Sequence, residues 1–252
     1  MSWYRRSERL AILKGIETNS HLMRHINVPN VRFEVDRPGL SVAMFILEEL
    51  QVGSSTSSFE EYEKETFKEI RSCSNLDDVK NDPIFRAYRD LYWTFGMDPT
   101  KLRVSSEAVL RRILKGLNLW RISDVVDIIN LASAFHKIPI SLVDASKLKG
   151  DFVVRNAFKG ELFHRIGGNI IVCRGREIVV ADDEKIVCFG FATHDSELTM
   201  ITRESSRVFV LLYGAEIVHR KMMDTSLKIT LDMIDQWLDC RVSEPYFFES
   251  ES

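Results

Sequence analysis

Near Ile138 the apolar residues change their spacing. Before it they recur every three or four positions; after it they alternate, and seven short alternating runs follow with no helical stretch among them. These runs are Ile138 to Val143, Phe152 to Val154, Glu161 to Arg165, Asn169 to Val172, Glu177 to Ala181, Lys185 to Phe189 and Val208 to Tyr213, separated by Gly, Asp and Lys turns. A wholly parallel sheet needs a crossover helix between strands, which this spacing does not provide. The chain therefore reads as α/β of the α+β type, a mixed and mostly antiparallel sheet packed by the helices that precede it.

Those helices carry their own punctuation. Ser58 with Glu61 three residues on forms a capping box, followed by apolar Phe59, Tyr62, Phe67 and Ile70. Asp82-Pro83 supplies an N-cap and a proline at the first helical position, and Gly96 ends that helix. Ser105 or Ser106 starts the next, which Gly116 ends, and Ser123 caps a third through Val126, Ile129, Asn130 and Ala134. A first helix is expected over Ser7 to Glu17, and a last one begins at Thr225. Val31 to Val35 alternates as a strand, whereas Leu40 to Leu47 fits a buried strand or a short helix. Gly53 to Ser57 is the best internal boundary, and the acidic tail from Ser243 is expected to fray.

Composition narrows the function classes. In 252 residues, 45% hydrophobic, there is enough to bury one sizeable core. The net charge of -3 does not suit a general nucleic-acid coat, so any RNA contact falls to a local patch and DNA is not an expected partner. Met1 to Arg6 has no apolar run behind it, and Leu40 to Leu47 is too short to span a bilayer. A cytoplasmic protein with no membrane partner is expected. Cys73, Cys173, Cys188 and Cys240 form no CxxC pair, so neither a zinc site nor a disulfide framework is expected, and no metal or cofactor.

Four groups of residues stand out. Lys101, Arg103, Arg111, Arg112, Lys115 and Arg121 face only Glu107 between them, a local charge of +5 that reads as a phosphate-contacting patch or as a solvated helix face. Ile166-Gly167-Gly168-Asn169 is a hairpin turn, or a backbone able to approach a ligand and donate N–H groups to an oxyanion. His194-Asp195-Ser196 imitates a catalytic triad, but consecutive residues point in different directions; with Thr199 they can line a polar pocket instead. Asn130 falls on the apolar side of its helix, where a buried amide needs main-chain or ligand partners. His136 and His164 read as surface or interstrand residues.

A series of motifs then points to a family. Val125-Val126-Asp127 with Asn130-Leu131 resembles "VVDxxNY", and Ile138 to Asp144 is similar to "GQPxHAFD". Lys147 to Gly150 with Phe152 to Ala157 resembles "DKIxGxIxVRxA". Gly160-Glu161, Gly167-Gly168, Val179 to Asp182 and Thr202 to Val208 resemble "GE", "LDG", "LVIAD" and "xxDETxNV". Their order and spacing, over roughly residues 82–213, are similar to the B-three/B-four editing domain of the phenylalanyl-tRNA synthetase β subunit. Tyr88-Arg89-Asp90 and Asp98-Pro99-Thr100 resemble its freestanding members.

The resemblance implies a trans-acting aminoacyl-tRNA deacylase of translation quality control, hydrolysing a mischarged ester at the tRNA 3′ end. It implies an editing-like domain at 58–240; the residues outside it read as an N-terminal helix-and-strand extension at 1–57, expected to pack on it, and a frayed tail at 241–252. It places Asn130 at the family's pocket asparagine, Gly168 and with it Gly167 at the pocket floor, and Ser141 where the family has a histidine. The family's acidic residue falls at Asp195 or Glu197, with His194, Ser196 and Thr199 alongside. The patch from Lys101 to Arg121 would meet tRNA phosphates. The exchange of histidine for Ser141 keeps two other classes open: a non-catalytic RNA-binding module, and a pocket for a free amino acid.

Overall fold

The computed structural model describes residues 28–251. The helix expected over Ser7 to Glu17 lies outside them. Two five-stranded sheets and a separate hairpin form the β-layers, with the helices packed on them. The second sheet is built around β2 (Ser41–Glu48), in which Val42 to Leu47 are all fully buried. Both faces of β2 are covered, so its apolar run is continuous and its sequence period cannot separate strand from helix.

β10 (Arg207–Gly214) lies antiparallel on one side of β2, and β3 (Ile140–Asp144) lies beyond β10. On β2's other side lie β11 (Arg241–Val242) and β12 (Tyr246–Glu249). The tail therefore does not fray. Tyr246, Phe247 and Phe248 are partly buried along β2, and the Ser243 and Ser250 hydroxyls accept from the N–H groups of Ile46 and Leu40 at 3.0 Å each. An edge of paired main-chain groups outweighs the solvation of the flanking glutamates.

The first sheet runs β1 (Val31–Phe33), β4 (Phe152–Asn156), β7 (Ile178–Ala181), β8 (Ile186–Phe189) and β9 (His194–Asp195). Only β1 and β4 are parallel, so the sheet is mixed and mostly antiparallel. The sheets meet through Phe152 against Phe209 at 5.7 Å and Phe191 against Tyr213 at 4.9 Å. β5 (Leu162–Arg165) and β6 (Asn169–Val172) form the hairpin.

The helices are α1 (Ser57–Cys73), α2 (Leu76–Asn81), α3 (Pro83–Thr94), α4 (Ser105–Leu114), α5 (Asp124–His136) and α6 (Arg220–Trp237). Asp82 and Ser123 cap α3 and α5 as their sequence positions suggest. α1 is capped by Thr56, which accepts from Phe59 N–H, because Ser58 already lies inside the helix. α6 starts at Arg220, ahead of Thr225, whose hydroxyl donates back to Lys221 O within the helix. Asp124 and Asp127 of α5 reach across to accept from Gly53 N–H and the Ser55 hydroxyl, which ties the Gly53–Ser57 loop down. α5 packs on α4, α6 and β3. Among the described residues no helix is long and apolar enough to cross a membrane.

Candidate active site

β3 and β9 belong to different sheets, and their meeting point holds the most unusual polar cluster of the fold. Ser141 of β3 is buried, and its hydroxyl donates to Asp195 Oδ1 of β9 at 2.5 Å. It also lies 3.5 Å from Cys188 Sγ, which sits on β8 directly opposite Asp195. Tyr213 of β10 completes the group. Its hydroxyl is buried beside Ser141, Cys188 and Asp195.

The turn from β8 to β9 sets this geometry. Gly190, Phe191 and Ala192 all have positive φ, at 70°, 47° and 78°. For Phe191 and Ala192 this backbone costs about 1 kcal/mol or more each. The packing of buried Phe191 on Tyr213 and the Ala192 N–H donated to Cys188 Sγ at 3.2 Å hold it in place. Thr193 follows, its hydroxyl 2.6 Å from that of buried Tyr92.

Burial decides the protonation states. It pushes Asp195 up to about 6, an effect that the Ser141 hydroxyl and the Leu142 main chain offset in part. Asp195 thus titrates close to neutrality, which suits a group that takes and returns a proton. Burial raises the Cys188 thiol far above the range where a thiolate forms, so it is not a nucleophile. Burial, reinforced by the charge of Arg165, lowers His194 to about 4 and leaves it neutral.

The remaining expected residues divide sharply. Ser196 is buried and its hydroxyl accepts from Leu198 N–H, while Thr199 is buried with its carbonyl accepting from Asp144 N–H. No hydrogen bond joins the side chains of His194, Asp195 and Ser196, so the linear triad is absent and the hydroxyl at Asp195 is that of Ser141. Glu197 is exposed, which leaves Asp195 as the acid inside the cluster. Gly167 and Gly168 occupy the hairpin tip with φ of 101° and 82° and open space around them. The hairpin joins the cluster's strand through main-chain contacts: Ile166 N–H donates to Asp195 O at 3.3 Å, and Arg165 bridges to Ser196. Asn130 is half-buried on α5 and its amide finds no partner among the described residues, so it is not the satisfied core amide that its position suggests.

The basic stretch is largely neutralised. Arg121 pairs with Glu63, Glu60 and Asp127, and Arg111 pairs with buried Glu107. Arg112 donates to Asn118 O and covers the Trp120 ring at 4.2 Å, and Lys101 lies 3.8 Å from Asp98. Among the described residues Arg103, Arg112 and Lys115 remain without an ion pair, and Arg112 is held by the Asn118 carbonyl and the Trp120 ring. His136 is likewise no surface group: its Nδ1 accepts from Ile138 N–H and its Nε2 lies 3.2 Å from Thr230 Oγ1 of α6. A shallow depression of about 680 Å³ beside α1, lined by Tyr62, Phe67, Lys68 and Arg71 among others, contains none of the expected site residues. Cys188 and Tyr213 escaped the sequence reading because each sits inside an ordinary alternating apolar run.

Residues 87–231, more than half of the chain, match the family model for the B3/4 domain. The chain belongs to that family. Every residue of the cluster at Asp195 lies within the B3/4 span. The phenylalanine–tRNA ligase beta subunit of Fusobacterium nucleatum subsp. nucleatum is 30% identical over 101 residues, which cover 40% of this chain and 12% of that protein. The B3/4 chain thus corresponds to a small part of that ligase. A crystal structure of an N-terminal fragment of the phenylalanyl-tRNA synthetase beta-subunit from Pyrococcus horikoshii overlaps 92% of this chain and 55% of its own, with a TM-score of 0.47 and 14% identity.

Proposed function

We propose that this B3/4 domain protein hydrolyses the ester bond of a mischarged aminoacyl-tRNA, with Asp195 as the general base. The observation that carries this reading is the Ser141–Asp195 pair, a half-buried carboxyl titrating near 6 and aligned by a buried hydroxyl. Asp195 takes a proton from a water molecule, whose oxygen attacks the ester carbonyl carbon. The tetrahedral intermediate then expels the tRNA 3′-terminal sugar oxygen, and the proton held by Asp195 passes to it. The products are the free amino acid and uncharged tRNA, the water having supplied the hydroxyl on the acyl carbon and the proton on the sugar oxygen. An aminoacyl ester is already activated, so positioning and charge stabilisation suffice.

Ser141 orients the Asp195 carboxylate and takes no covalent part. The half-buried Asn130 amide has its donors and acceptor available for the substrate amine. A second reading, a tRNA-binding module without chemistry, is favoured by one observation: among the described residues no hydrogen bond joins the tip glycines or the Asn130 amide to Ser141 or to the Asp195 carboxyl. A deacylation panel of correctly and wrongly charged tRNAs decides between them. Selective ester loss in the wild type that disappears in Asp195→Asn supports the hydrolase, and loss no faster than buffer across the panel supports the module.

A further inference from the structure

The β5–β6 hairpin presents a surface unlike the rest of the molecule. Leu162, Ile170 and Val172 are 50%, 56% and 61% exposed, and the pairs Leu162–Val172 and His164–Ile170 put them on one face. The opposite face is anchored by Phe163, buried and stacked on Phe189 at 5.4 Å. Phe158, 65% exposed, lies at the base with the Arg155 guanidinium 4.3 Å over its ring.

Charge on this surface is one-sided. Residues 155–176 contain Arg155, Lys159, Arg165, Arg174 and Arg176 against Glu161 alone. Glu161 is bound by Arg155 at 2.7 Å, and the neighbouring Glu177 is buried, accepting from the N–H groups of Arg174, Gly175 and Arg176. Lys159, Arg165, Arg174 and Arg176 are exposed and make no ion pair among the described residues. Gly175 packs against Lys159, which places Lys159 beside the Arg174–Arg176 turn at the base of the hairpin. Arg165 stands at the other end, on the Phe163 side of the hairpin rather than the outer face, its main chain bridged to Ser196 and its charge felt by His194.

We propose that the outer face of the β5–β6 hairpin is the track on which single-stranded RNA, the 3′ end of the tRNA substrate, runs into the Asp195 cluster. This rests on the hydrolase reading. Phosphates meet Arg165 at the cluster end and Lys159 and Arg174 at the base, while bases lie on Phe158 and the aliphatic side chains. The bare glycine tip lets the RNA backbone approach closely. An apolar face alone would suit a protein partner. Unpaired cations at its base, and Arg165 at the edge where the hairpin meets the cluster, favour a polyanion.

The test measures binding of uncharged tRNA across a salt series, together with deacylation of the charged form. Lys159→Glu/Arg174→Glu and, separately, Arg165→Glu are compared with Arg86→Glu and Lys221→Glu, exposed cations remote in sequence from the hairpin. The hairpin variants should bind at least tenfold more weakly than wild type at about 100 mM salt, with a salt slope shallower by about one per charge removed, whereas the comparison variants should change less than twofold. Ile170→Ser/Val172→Ser tests the apolar part without altering charge and should weaken binding with little change in slope. Binding lost in the hairpin variants of a protein that hydrolyses nothing would overturn the hydrolase reading and support the track. Wild-type tRNA affinity and turnover in the hairpin variants would overturn the track and leave the hydrolase intact. Loss of a dimer on gel filtration in Ile170→Ser/Val172→Ser, with RNA binding unchanged, would also overturn it and assign the face to protein.

Discussion

Asp195 ties the proposed chemistry to the stability of the fold. Its ionisation is disfavoured by burial, so deacylation should rise with pH through about 6 and level off above it. The Ser141 hydroxyl lowers that pKa, so Ser141→Ala should move the midpoint to higher pH, measurable in a pH–rate profile and by NMR titration of the carboxyl. The stability sign is opposite to that of a salt-bridged aspartate. A folded-state pKa raised from 3.8 to about 6 means that the folded protein holds the proton more tightly, so stability declines as pH rises from about 4 to 6. The expected difference is on the order of 3 kcal/mol, and Asp195→Asn should abolish this slope in urea titrations at several pH values. Asp195 was legible in the sequence as one of a row of polar residues able to line a pocket, and as the acid of the site only through the family series, whereas its partner Ser141 looked like a deficit, a histidine replaced. The hydrogen bond between them spans two sheets and leaves no local pattern.

Elements were legible where turn residues bounded short apolar runs, including β3, β7 and β8, which are buried throughout. The alternating runs from Ile138 onward correspond to β3 to β8 and β10 within a few residues, and α3 and α5 begin at their expected caps. β2 resisted because both its faces are dry, and β12 because its partner lies some two hundred positions earlier. Removing residues 241–251 should bare the edge of β2, lower stability by about 2–4 kcal/mol from lost ladder bonds and packing, and produce concentration-dependent turbidity on heating. An unchanged melting curve would mean that β11 and β12 add nothing to the sheet. The turn before β4 is equally constrained. Gly150 has φ 72°, and an added Cβ would stand 2.0 Å from Asp183 Oδ2, so Gly150→Ala should cost about 1–3 kcal/mol in a urea titration.

At the scale of the whole molecule, charges counted along the chain mislead about charges facing solvent. The stretch from Lys101 to Arg121 looks like a phosphate patch until Glu63, Glu107 and Asp127 are brought to it, two of them from other helices. Arg121→Ala should therefore act on stability, by about 2–3 kcal/mol in chemical denaturation, because it strips the cation from buried Glu63 and Asp127. Its effect on tRNA affinity at a temperature where the variant stays folded should be small. The hairpin, which carries fewer consecutive charges, keeps most of its cations free. The burial of β2 has a further consequence, for the growing chain on the ribosome. β10 follows β2 by roughly 160 residues, so at synthesis rates of about 5–20 residues per second the most apolar strand waits some 8–30 s for its first neighbour. During that interval it is a binding site for chaperones, and protein made in cells short of them should be lost to inclusion bodies before the edge strands can reach it.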